Sequence, residues 1–196
     1  MNLRLLALQV YLPPSLKTDG LLDLFQLTAD AFGAPMPDVE ACSQAEVLLA
    51  FATFTRDQAE LVPEGDIEAM KLRLYERAYR LGNTMKQLLE IRSSHESLRA
   101  ARLLYRTLGI DFRANERGDV TIARCYFSRF YTDRSCRILS SLDEGLLAGL
   151  SGGGRLCFKT RITEHQRCCL ATIDFSETNE ETGDRRGHRC RWCNNG

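Results

Sequence analysis

TDRSCRILSSLDEGLLAGL at residues 132–150, the glycines at 152–154, and RLCFKTRITEHQRCCLATIDF at 155–175 form the stretch that decides the fold. The first segment has helical spacing: Leu139, Leu142, Leu146 and Leu150 fall on one face, Thr132 suits an N-cap, and the glycines stop the helix. The second segment has the strand period. With a loop at Thr163 to Gln166, Ile162 pairs with Arg167, Thr160 with Cys169, Phe158 with Ala171 and Leu156 with Ile173. That register gathers an apolar set on one face, as a half-buried antiparallel hairpin requires. The other face then carries Arg155, Cys157, Lys159 and Arg161.

Working outward, Ile110 and Phe112 alternate with Val120 and Ile122 around Asn115 to Asp119, a second hairpin signal. Before Gly109 the signals read as four helices. Asp19 caps a helix from Gly20 to Phe32, and Ser43 to Glu46 is a capping box. Asp66 precedes a stripe of Ile67, Met70, Leu74, Ala78, Leu81, Met85 and Leu88, and a second capping box, Ser93 to Glu96, opens a helix with Leu98, Ala101, Leu104 and Leu108 inward. The expected fold is α+β, with an N-terminal helical layer, about 15–109, packed on a small antiparallel sheet made of two hairpins separated by a helix. Residues 1–175 form a single domain, and 176–196 a polar C-terminal tail.

Composition narrows the function. Lysine plus arginine equals aspartate plus glutamate at 26 each, so no net field draws nucleic acid or an anionic membrane, although local basic patches stay open. No apolar run approaches the roughly 20 residues of a bilayer span. Residues 1–12 carry one basic residue and end at Pro13-Pro14 instead of a small-residue cleavage site, so they read as part of the mature chain. A cytoplasmic protein is expected, its cysteines mostly reduced thiols or metal ligands.

On the helix from Thr132, Cys136, Ser140 and Asp143 stand at i, i+4 and i+7, within about 60° of one another beside the apolar face, as a helix edging a pocket would place them. Cys136 ends the first turn, where the dipole and free amides can favour a thiolate nucleophile, and Asp143 can manage a proton. Equally, Cys136 reads as a small buried hydrophobe and Asp143 as a solvated charge. Arg161 and Lys159 offer a fork and a point charge to a substrate carboxylate, or belong to a solvated strand face. His165, near Arg161 and Glu164, is a further acid or base. Adjacent Cys168 and Cys169 point to opposite faces of a strand, so at most one serves any site. His188, Cys190 and Cys193 have the spacing of half a zinc knuckle and are the metal candidates. A closed site needs four ligands, so no cofactor is expected and zinc is the weaker alternative. No Walker loop, dinucleotide glycine fingerprint, HExxH or GxSxG occurs.

Cys125-Tyr126-Phe127-Ser128, Tyr131, Cys136, Asp143, Gly145, the Arg155 to Ile162 strand and Cys169 before the last strand together resemble the L-2-amino-thiazoline-4-carboxylate hydrolase family. More distantly the chain is similar to the four-vinyl-reductase type of small-molecule-binding domain. The resemblance spans about Leu74 to Phe175. It implies either a hydrolase acting on a C–N bond of a small cyclic amino-acid derivative, or a non-catalytic binding or sensor domain. In the hydrolase, Cys136, Asp143 and His165 are catalytic, and Ser140, Lys159, Arg161 and Cys125 bind substrate. Where vinyl-reductase-like domains carry a Glu and a Cys before a Gly-rich turn, this chain has Glu164-His165-Gln166-Arg167. The partner implied is a small molecule, with no nucleic acid and no membrane; a homo-oligomer stays open.

Overall fold

The structure, a computed structural model, describes residues 2–175. The tail candidates His188, Cys190 and Cys193 lie outside the described residues. Six α-helices, four strands and three short 3-10 turns form an α+β fold, helices first and the antiparallel sheet toward the C-terminal end. The helices are α1 (Leu3–Val10), α2 (Pro14–Phe32), α3 (Gln44–Leu61), α4 (Ile67–Leu88), α5 (Ser94–Thr107) and α6 (Asp133–Ser151). The strands are β1 (Phe112–Ala114), β2 (Asp119–Ile122), β3 (Arg155–Thr160) and β4 (Cys169–Asp174), in the order β1-β2-β4-β3. The two hairpins are thus joined edge to edge through β2 and β4 into one sheet.

Local chemistry explains most helix ends. Ser43 Oγ accepts from the Glu46 amide while the Glu46 carboxylate accepts from the Ser43 amide, a complete capping box. Ser93 caps α5, but the Glu96 carboxylate takes the Arg92 amide instead of that of Ser93, so the second box is half formed. Thr132 caps α6 and Gly152 ends it in a left-handed turn. Two expectations move. α2 begins six residues before Gly20, at Pro14, because proline's fixed φ and missing N–H suit a first turn, and Asp19 is interior. Leu3–Val10 is also helical, capped by Asn2, whose side chain both accepts from the Leu5 amide and donates to the Leu89 carbonyl.

α6 is the central element. It is buried on nearly every side: Ile138, Leu139, Leu142, Leu146, Leu147 and Leu150 all belong to one core that also holds Phe25, Phe51, Leu74 and Tyr105 from the helices and Val120, Leu156, Ala171 and Ile173 from the sheet. Helix α4 lies along it at backbone contact. A Cβ at Gly145 would fall 2.2 Å from the Tyr75 carbonyl oxygen, one at Gly149 would fall 2.2 Å from that of Tyr79, and one at Gly82 would fall 2.3 Å from that of Leu146. Three glycines therefore set the distance between the two helices.

The β3–β4 register agrees with expectation at Arg155–Asp174, Leu156–Ile173, Cys157–Thr172 and Phe158–Ala171, and then breaks. Thr160 faces Leu170, not Cys169, because Lys159 is an extra residue in a bulge. The connection is correspondingly longer than four residues and contains a 3-10 turn at Ile162–Glu164, closed by His165 at φ 62. At the other hairpin the Asn115 side chain accepts from the Arg117 and Asp119 amides, and Gly118, at φ 85, lies so close to Ile173 that its carbonyl accepts from the Ile173 amide at 2.7 Å.

Two glycine substitutions separate packing from helix propensity. Gly20→Ala, in α2 with nothing within 4 Å of the new Cβ, should stabilise the protein by about 0.5–1 kcal/mol. Gly149→Ala should destabilise by more than about 2 kcal/mol, despite a similar propensity gain, because the helices must separate. Urea unfolding of both variants checks this; equal stabilisation would mean that α4 and α6 are not in backbone contact.

Candidate functional site

Between α5, α6, the 126–131 segment and the β3–β4 connection lies a cavity of about 90 Å³. Most of its wall is apolar, including Leu24, Phe51, Ile122, Leu142 and Phe158. Its polar groups come from a few places. α6 contributes Cys136, Ser140 and Asp143, about two turns of one helix face. Cys125 and Tyr131 flank a 3-10 turn at Tyr126–Arg129, Tyr105 comes from α5, and Arg161 and Thr163 come from the connection after β3.

Asp143 is the focus. The Tyr105 hydroxyl donates to it at 2.8 Å. The Asp143 carboxyl is pushed up to about 6 by burial, against the lowering effects of the Tyr105 hydrogen bond and the Arg161 charge. Its residual accessibility fits a side chain that faces the cavity it lines. Tyr105 is itself raised well above its ordinary value by burial and then by Asp143, so it stays a neutral donor. Beside it Glu144 is pushed up to about 7, mainly by burial and next by the Asp143 charge. Across the cavity the Tyr131 hydroxyl pairs with Thr55 at 2.7 Å, and burial keeps it neutral too.

Arg161 reaches the site because of the bulge. A regular ladder would put its side chain on the solvent face with Lys159; the extra residue inverts the alternation, so Thr160 sits with exposed Leu170 and Arg161 turns inward. Its Nε donates to Ser140 Oγ at 3.3 Å, its guanidinium lies 4.9 Å from the centre of the Phe158 ring, and Glu164 balances its charge at 3.5 Å. Glu164 also accepts from the Arg161 amide and pairs with Arg137 at 2.9 Å, fixing the loop. Only 16% of the Arg161 side-chain surface is exposed, which strengthens its field within the cavity.

Of the residues singled out from sequence, Cys125, Cys136, Ser140, Asp143 and Arg161 line this one cavity. Lys159 and His165 do not: both are exposed, Lys159 in the bulge and His165 at the end of the 3-10 turn. Cys136 lines the cavity as a shielded thiol. Its amide already bonds the Thr132 carbonyl, and burial pushes the thiol up to about 11, outweighing the Thr163 hydroxyl and Arg161 that favour its anion. Cys125 is pushed up to about 12 by the same cause. At both positions burial disfavours the thiolate. Of the adjacent pair, Cys169 is the buried one and lines the cavity, while Cys168 is half-buried and does not. The Thr163 hydroxyl is buried at the cavity wall beside the Cys136 thiol, its polar neighbour there.

Glu144, Tyr105 and Thr163 are not picked out as site residues by the sequence, and Tyr131 enters only through the family resemblance. The usable signal was Tyr105, an aromatic with a hydroxyl on a helix whose neighbours Leu104 and Leu108 were already placed inward, since a buried phenol seeks a polar partner. Among the described residues no cluster of three metal-ligating side chains occurs, and no helix is long and apolar enough to cross a membrane. Comparison with known proteins finds no family model, no curated protein and no solved structure that matches this chain.

A carboxyl that holds its proton more tightly folded than unfolded stabilises the fold below the unfolded value, near 3.8 for Asp143, and loses that contribution as pH climbs through the folded value, near 6. The full cost of ionising Asp143 is on the order of 3 kcal/mol. Asp143→Asn should therefore match the parent in urea unfolding near pH 3.5 and exceed it by about 1–3 kcal/mol at pH 8. A difference independent of pH would show that Asp143 is solvated.

Proposed function

We propose that the chain is a small-molecule-binding domain whose cavity takes a compact ligand with an apolar ring and one polar edge. The observation that carries this reading is the convergence of the Asp143 carboxyl and the Arg161 guanidinium on a largely apolar enclosure. Such sites combine apolar walls for affinity with a few placed polar groups for orientation. At about 90 Å³ the cavity is far below the ~300 Å³ at which drug-sized pockets begin, which favours a single small ring. Arg161 suits a carboxylate on that ring; Asp143, protonated or not, meets a ring nitrogen.

Hydrolysis of a small cyclic amino-acid derivative is the second reading, and the raised Asp143 is what favours it. A general base works best when its pKa lies near the operating pH. Asp143 would take a proton from water as the oxygen adds to the ring C=N carbon and pass it to the ring nitrogen, then move the new hydroxyl's proton to that nitrogen as the C–N bond breaks and the carbonyl forms. With Cys136 held as a neutral thiol, water is the nucleophile in this scheme and Cys136 packs against the ligand.

Both readings meet one experiment on the full chain. A panel of small heterocyclic carboxylates, L-2-amino-thiazoline-4-carboxylate among them, is tested at pH 7 for a shift in melting temperature and for products heavier by one water. Binding should raise the melting temperature of the parent and of Cys136→Ser by several degrees, with the shift lost in Arg161→Met. No shift with any compound, or an equal shift in Arg161→Met, would overturn the binding reading. Hydrolysis should rise through about pH 6 and vanish in Asp143→Asn while binding persists; binding without product leaves a non-catalytic domain.

A further inference from the structure

A second and larger concavity adjoins the cavity, sharing Ile110, Cys125, Ser128 and Ile162 with it. It is an open cleft of about 1220 Å³, and its charge is one-sided. Arg99, Arg102 and Arg106 come from α5, Arg113 from β1, Arg129 from the 3-10 turn at Tyr126–Arg129, and Arg124 and Arg167 from loops. Among the described residues the only acid on its wall is Asp111, and both its carboxylate oxygens are held by Arg113, at 3.2 and 2.9 Å. The chain as a whole is neutral, so an excess of six positive charges in one cleft is a concentration, not a reflection of composition.

Several of these arginines are free to act outward. Arg102, Arg106, Arg124, Arg129 and Arg167 are exposed. The side chains of Arg106, Arg124 and Arg167 make no ion pair or hydrogen bond among the described residues, and Arg102 makes a 3.3 Å hydrogen bond to the Ala114 carbonyl with its guanidinium still exposed. No lysine lines the cleft. Arginine forks grip phosphate oxygens in pairs, which a lysine point charge does not. The α5 arginines stand at i, i+3 and i+7 on one face, over about 10 Å of helix, so the cationic wall is a line and not a point. Tyr126 and Arg129, whose guanidinium lies 5.7 Å from the ring centre, add flat surfaces of the kind on which bases stack.

We propose that this cleft binds single-stranded nucleic acid, its phosphates on Arg102, Arg106, Arg124 and Arg167 and a base against Tyr126 and Arg129. The cleft exceeds the ~300–1,000 Å³ of small-ligand pockets, and its cations come from α5, β1, a 3-10 turn and two loops, a spread that a strand uses and a single phosphorylated metabolite does not. Strand binding is independent of the small-molecule reading, since none of those six residues lines the cavity.

The test is fluorescence anisotropy of a labelled ten-residue oligothymidylate with the full chain. Four phosphate contacts predict that affinity falls roughly fifty-fold between 50 and 200 mM salt. Arg102→Glu with Arg106→Glu should weaken binding at least tenfold, and Arg124→Glu with Arg167→Glu likewise, so that a misfolded first pair does not decide the matter. Arg80→Glu, an exposed arginine on α4 outside the cleft, should change binding less than twofold. No anisotropy change at 50 mM salt, or an equal loss in Arg80→Glu, would overturn the proposal. So would displacement of the strand by tripolyphosphate or polyglutamate at matched charge, since the cleft would then be reading charge alone.

Discussion

The backbone contact between α4 and α6 governs where everything else sits. Gly145 and Gly149 of α6 meet the Tyr75 and Tyr79 carbonyls at distances that admit no side chain, and Gly82 returns the contact from α4. A helix held this closely cannot roll. Asp143 is two residues from Gly145, which puts it about 160° around the helix from the seam. Cys136 and Ser140 fall on the same far side. The glycines thus aim the polar stripe at the sheet by occupying the opposite face, and the cavity is the space that Asp143, Tyr105 and Arg161 are pushed into.

The legible part of the fold was the part written in periods. α6, α4, the capping boxes and the apolar face of the β3–β4 hairpin follow from spacing that packing then honours. What spacing did not reveal was which helix is central. α6 was assigned one apolar face because its other faces carry Gly145, Ser141, Ala148 and Gly149, and small residues carry little hydrophobic signal although they pack most tightly. Pro14 shows a different limit: the same residue type stops a helix or starts one, and only the following residues decide which.

The site divided along similar lines. Cys136, Ser140 and Asp143 share a helix, and a helix keeps its angular relations whatever it packs on, so their common facing was readable. Tyr105 approaches from α5, 38 residues before Asp143, and no local pattern records that. Electrostatics is the least legible layer. The N-terminal position of Cys136 suggested a thiolate, yet desolvation dominates there, and only the three-dimensional surroundings reveal it. Net charge misleads in the same way: balanced totals conceal the arginine cleft, because the sum over a chain says nothing about how the signs are sorted over its surface.

The bulge at Lys159 gives that residue an unusual kind of importance. It is exposed, and its side chain lines neither concavity, so replacing it by almost any other residue should go unnoticed. Yet its presence as one more link in the chain determines the parity of everything up to the next turn, and that parity is why Arg161 faces in. Position 159 is thus constrained in length while unconstrained in identity. A survey that only swaps side chains would pass over it, and related sequences could vary there without limit so long as none of them drops the residue.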